Sequence, residues 1–252
     1  MLARISVSVL LGLSPLALQA SQPALAVAKV VSYHDDHMYV VEKTLTDGSM
    51  TIEIAHVMPS SEEGTHTHVH GDAALLEPGG PGCDIGGANA WNNLCGINRV
   101  HWSGTHPVVY FIDHTGSAWP VYESVVKWNE STALDVGYRY GYNTCPSPTS
   151  HCVNVNEGYY TPDVKCGSVS DWVGCTYLTA NSSHVITQVY INMNNRFSGS
   201  YAHNRVATCH EEGHALGLGH NWFTDSCLYP VVQSPYPQYP NSNDYAMLLD
   251  IY

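Results

Sequence analysis

The sequence predicts an α+β fold built on a mixed, twisted sheet. Three observations carry this. Apolar residues alternate with period two in the runs 38–57, 106–113, 134–142 and 185–192. Helical periodicity follows Trp119 and returns around 207–222. The order is strand, helix, strands, helix, and no internal repeat is visible. A chain of 252 residues is long enough for one sizeable domain, or for one domain with a small appendage.

In chain order, Arg4 precedes an apolar run from Ile5 to Leu18, and Ala24-Leu25-Ala26 offers an A-x-A cleavage site. Residues 1–28 are therefore expected to be a secretory signal peptide. The run is too short for a membrane anchor and is interrupted by Ser6, Ser8, Ser14 and Pro15, so a secreted protein without a stable anchor is expected. MYVVEKTLT and SMTIEIAHV flank Asp47-Gly48, the signature of a β-hairpin on a tight turn. A lone hairpin is unstable, so residues 29–80 either pack on the rest of the chain or form a propeptide. His66, His68 and His70 stand at alternate positions and read as a solvated loop or, less readily, as metal ligands. The run Glu77–Gly82 reads as a linker, which sets the main domain at 81–252.

Within that domain HPVVYFID, 106–113, reads as a strand. Ala118-Trp119-Pro120 opens a helix with apolar residues at Val121, Val125 and Trp128. Leu134–Tyr142 reads as a strand, and 143–176 as Cys-, Gly- and Pro-rich loops with one short strand at 153–155. VITQVYIN, 185–192, is a further strand. A last helix follows Pro240–Asp244, with Tyr245, Leu248, Leu249 and Tyr252 on one apolar face.

Composition narrows the function. Only 12% of residues are charged, the formal net charge is −13 and no Lys/Arg cluster exists, which disfavours nucleic acid and anionic membranes as partners. The eight cysteines, an even number in an exported chain, suggest four disulfides. Pairing of sequence neighbours gives four local staples, although sequence alone does not fix the connectivity. A cysteine zinc site is disfavoured because no C-x2-C pair occurs.

The segment ATCHEEGHALGLGHNW, 207–222, carries the chemistry. His210 and His214 are four residues apart and so share one face of a helix, where two imidazoles can reach one ion. Glu211 projects about 100° away, close enough to meet a water on that ion. A third ligand needs the chain to turn. Gly217 can end the helix in the left-handed region, and Gly219 loosens the path to His220. Three nitrogen ligands with one open position is the layout of catalytic zinc. Gly213 is read as a point of close backbone packing, and Glu212→Ala is expected to leave activity intact.

HEEGHALGLGH, 210–220, resembles the zinc signature of the metzincin peptidases. Ser226-Cys227-Leu228-Tyr229-Pro230 is similar to the methionine-containing turn of matrixins, with Leu228 at the methionine position. The resemblance extends over roughly residues 100–252 and is nearest to small secreted bacterial matrixin-like enzymes. It implies a twisted, mixed five-stranded sheet, an active-site helix and a C-terminal helix. It further implies a monomeric zinc endopeptidase acting on protein or peptide substrates, with zinc on His210, His214 and His220 and Glu211 as general base. Cys209 and Cys227 would then lie within bonding distance. Substrate would add to the strand 185–192, and the run Pro230–Pro240 would wall the pocket beyond the scissile bond. No second-zinc histidine set and no calcium loop of the vertebrate type is seen. Gly80–Asp84 resembles a cysteine switch, against which a Cys83–Cys95 disulfide is preferred. The rival readings are a non-catalytic zinc-binding protein and a metal scavenger using His34, His37, His66, His68 and His70.

Overall fold

The computed structural model describes residues 26–34, 38–57, 85, 87–90, 99–160, 172–230, 235 and 237–252. The strands are β1 (Val27–His34), β2 (Met38–Leu45), β3 (Met50–Val57), β4 (Ala88–Ala90), β5 (Val108–Asp113), β6 (Asp135–Tyr140), β7 (His151–Gly158), β8 (Trp172–Ala180), β9 (Ile186–Asn194) and β10 (Leu218–Asn221). The helices are α1 (Val121–Trp128), α2 (Tyr201–Ala215) and α3 (Ser242–Ile251). The fold is α+β with a large mixed sheet, as the element order predicted.

The sheet has eight strands in the order β1-β2-β3-β8-β9-β7-β5-β6. This corrects the expected five. The five strands from β8 to β6 are contiguous, and the extra three come from the N-terminal meander pairing onto β8 through β3. Such a meander cannot stand alone, and an adjacent sheet edge gives its backbone groups partners. β5, β6, β7 and β9 are parallel neighbours, whereas β8 runs antiparallel to both β9 and β3.

Parallel strands need cover on both faces. α1 connects β5 to β6 and buries Val121, Ser124, Val125 and Trp128, a stripe at helical spacing. α2 packs on α1, β8 and β9. It is buried from His203 to Ala215 despite its many polar residues, so it is a central helix whose composition answers to something other than core packing. α3 packs against β4 and β10. Leu248 is buried and Tyr245 and Tyr252 pack against the core, as the spacing predicted, whereas Leu249 is 58% exposed and Met247 is buried instead.

Two further expectations are corrected. β7 is longer than the short strand foreseen, and β8 begins inside the stretch read as loop. Gly174 and Cys175 gave β8 a loop-like composition. Its residues Trp172 to Thr176 are all buried, so no alternation marks it as a strand. Cys145–Cys152 and Cys209–Cys227 are disulfides, as neighbour pairing predicted, and they fit an oxidising compartment. Among the described residues no helix is long and apolar enough to cross a membrane. Residues 1–25, His37, His66, His68, His70, the 77–82 linker, Cys83, Cys95 and Cys166 lie outside the described residues.

Candidate metal centre

α2 starts at Ser200, whose hydroxyl accepts from the His203 amide. At the other end Gly217 adopts φ 96° and its amide donates to the His214 carbonyl, so the helix stops where the glycine spacing said it would. A Cβ on Gly217 would also come within 2.7 Å of the Val100 carbonyl oxygen. The indole of Trp102 donates to the Ala215 carbonyl at 2.9 Å, and the Tyr252 hydroxyl donates to that of Leu216 at 2.8 Å. These bonds satisfy carbonyls that a helix end leaves without intrahelical donors.

After Gly217 the chain enters β10, which pairs with β4 and brings His220 back over the helix. His210, His214 and His220 thereby offer ring nitrogens within 4.8 Å of one another, all three buried. Their ring centroids stand 4.5, 5.2 and 5.1 Å apart. The Nδ1 of His210 donates to the Cys227 carbonyl at 2.7 Å, and that of His214 donates to the Leu218 carbonyl at 2.9 Å. A carbonyl only accepts, so each of these rings carries its proton on Nδ1 and its lone pair on Nε2. Such backbone contacts orient metal-ligating histidines. The three buried imidazoles converge closely enough that one metal ion could take a nitrogen from each. The donor set therefore fits a metal of the borderline, nitrogen-preferring kind.

Glu211 is buried beside the cluster. The Thr176 hydroxyl of β8 lies 2.6 Å from its Oε2. Burial pushes the Glu211 carboxyl up to about 7, against the lowering effects of His210 and of the Thr176 hydroxyl. β8 passes so close that a Cβ on Gly174 would lie 2.7 Å from both Cγ and Oε1 of Glu211. No sequence signal pointed to Thr176 or Gly174, because contacts across 35 residues leave no periodic trace.

Residues 226–229 form a turn that packs against α2 through Leu228. Leu228 is fully buried, and a Cβ on Gly213 would meet both Leu228 and Trp128 at 2.8 Å, which explains glycine at a helical position. Ser226 donates to Asp244 at 2.7 Å while its Oγ accepts from the Leu228 amide. Asp244 also accepts from Asn221 and from the Asn241 amide, so one buried carboxyl ties α3, the turn and the end of β10 together. Tyr239 packs its ring under the cations of Lys127 and Arg205. Of the run 230–240 expected to wall a pocket, residues 231–234 and 236 lie outside the described residues.

Two expectations fail here. β9 is bonded on both sides, to β7 and β8, so it has no edge to offer a substrate strand. Glu212 is fully buried, and burial holds its carboxyl well above the usual range beside Ser124 and Arg205. Glu212→Ala would leave a void in the interior, so it is no longer expected to be harmless; Glu212→Gln, which keeps the volume without a charge, is the suitable control.

The Cys209–Cys227 disulfide flanks the first histidine and ends at the residue whose carbonyl accepts the hydrogen bond from its Nδ1. Replacing both cysteines by serine is expected to cost about 3 kcal/mol of stability for a loop of this length. It is also expected to weaken metal binding by loosening His210. Denaturant midpoints and competitive zinc titration measure the two effects. Comparison with protein-family models and with curated proteins finds no match for the chain.

Proposed function

We propose that the protein is a secreted zinc-dependent endopeptidase of the metzincin type, similar to the small matrixin-like enzymes. The observation that carries this reading is the three-histidine cluster with a buried glutamate on the same helix, held by Thr176. When bound, zinc supplies Lewis acidity, which acidifies water and polarises a peptide carbonyl.

The chain's own residues do the rest. His210, His214 and His220 would hold the ion, with the first two oriented by backbone carbonyls. Glu211 takes a proton from the attacking water and returns it to the amine nitrogen as the peptide C–N bond breaks, so the carboxylate is regenerated each cycle. The Thr176 hydroxyl donates to Oε2 and so fixes the orientation of the carboxyl. A carboxyl near pH 7 suits both halves of that transfer. The contiguous five strands from β8 to β6, with one helix carrying the site and another at the C-terminus, support the family reading at the level of fold. The oxidising environment implied by two disulfides supports export.

Metal stoichiometry separates this reading from its rivals. One tightly held zinc per folded chain is expected from native mass spectrometry after dialysis. Several ions per chain would instead favour a histidine-rich scavenger.

A further inference from the structure

The chain leaves the metal centre at Asn221, and the two side chains that follow are large, apolar and open to solvent. Trp222 is 49% exposed and Phe223 51%. The other described tryptophans, Trp102, Trp119, Trp128 and Trp172, are all buried. Single exposed apolar residues are ordinary, but a contiguous aromatic pair beside a candidate site marks a binding surface.

The backbone under this pair is firmly held. The Trp222 amide donates to the Gly87 carbonyl at 3.0 Å, just past the end of the β10–β4 pairing. The Phe223 amide donates to Asn221 Oδ1 at 3.0 Å, and its carbonyl accepts from the Ser226 amide at 3.1 Å. Asn221 is in turn bonded to the buried Asp244. Gly87 has φ 89°, and a Cβ there would come within 2.8 Å of the Phe223 ring, so the bare backbone at 87 seats that ring. The two aromatics form a fixed shelf, and a preorganised surface binds with little further ordering cost.

The shelf is continuous with the metal centre. Trp222 stands two residues beyond His220, and two residues of chain span at most about 7 Å. An extended peptide advances about 3.3 Å per residue, so a substrate whose carbonyl lies at the metal would bring a side chain within about three residues of the scissile bond to the shelf. The one charged residue in the segment 221–225 is Asp225, which is exposed, and the chain carries a net charge of −13. An acidic side chain finds no cation on this segment.

We propose that Trp222 and Phe223 are specificity-determining residues of the peptidase: they take one large apolar side chain, aromatic or branched aliphatic, of an extended and non-acidic polypeptide. The proposal rests on the peptidase reading above. Such side chains are mostly buried in folded proteins, so the shelf directs the site to unfolded or loosely folded chains.

The test uses the full zinc-loaded chain on a denatured protein, with the cleavage sites mapped by mass spectrometry. Large apolar residues are expected to be enriched at one fixed position near the scissile bond. A peptide with Phe at that position should exceed its Ala counterpart by at least ~10-fold in kcat/KM, the scale of discrimination by apolar contacts. The Trp222→Ala, Phe223→Ala variant should keep its zinc and its far-ultraviolet circular dichroism, and its Phe:Ala ratio should fall to about 2 or less. Trp222→Phe, which keeps an aromatic ring, should retain most of the preference. If the double variant does not fold, Trp222→Gln alone decides: a lowered ratio supports the proposal and an unchanged ratio overturns it. Binding without turnover is read in Glu211→Gln, where the Phe peptide should shield tryptophan emission from acrylamide. Adding Trp222→Phe should abolish that shielding, because the reporting indole is gone. Equal Phe:Ala ratios in the parent and the double variant overturn the proposal and leave the peptidase reading intact. So does a parent with no apolar preference, or shielding that persists without Trp222. Absence of turnover in the parent at full zinc occupancy would overturn the peptidase reading, and this proposal with it.

Discussion

Glu211→Gln is expected to bind one zinc ion as the parent does and to lose at least ~10²-fold in turnover, the usual scale for removing a general base. The substitution keeps the volume of a fully buried side chain and retains an oxygen for the Thr176 hydroxyl. What it removes is the proton acceptor. Stability should not fall, because the native environment already opposes the charged form of this carboxyl through burial. The comparison is made against the parent, with zinc occupancy measured on the same sample. Glu212→Gln is the matched control on the same helix. Burial raises its carboxyl well above the usual range, against the lowering effects of Ser124 and Arg205, and the activity of this variant should stay within a few-fold of the parent's.

His214→Ala is expected to abolish tight zinc binding and all turnover, because two imidazoles remain where three would hold the ion. The chain should stay folded, with some loss of stability from the void left at this fully buried position. His214 lies in a helix anchored at both ends, by Ser200 and by the bonds from Trp102 and Tyr252 to its last carbonyls. Competitive titration with a zinc indicator reads the loss directly, and near-ultraviolet circular dichroism reports the fold. The same coordination chemistry sets an acid limit. Imidazoles must be deprotonated to ligate, so zinc occupancy and activity should fall together as the pH drops below about 6.

The parts of this site that were legible in the sequence share one property: their spacing is local. His210, Glu211 and His214 lie within two turns of one helix, and Gly217 and His220 follow directly. Helix periodicity and the conformational freedom of glycine suffice to place them. The hairpin at 38–57, β5, α1, β6, β9 and α3 were legible for the same reason. β8 was not, because a run of buried residues containing glycine and cysteine has no period to read. That omission hid Thr176 and Gly174, and it misassigned the sheet edge beside the site to β9. The docking of β3 on β8 joins segments more than a hundred residues apart, and local patterning carries no information about such a pairing.

The central claim is that the histidine cluster and Glu211 hydrolyse peptide bonds. Its most direct measurement is cleavage of a denatured protein by the zinc-loaded chain, with and without a zinc chelator. The account predicts new amino termini, their loss on chelation, and their return when zinc is restored. Full zinc occupancy with no cleavage would contradict it and favour a zinc-binding protein without hydrolytic activity.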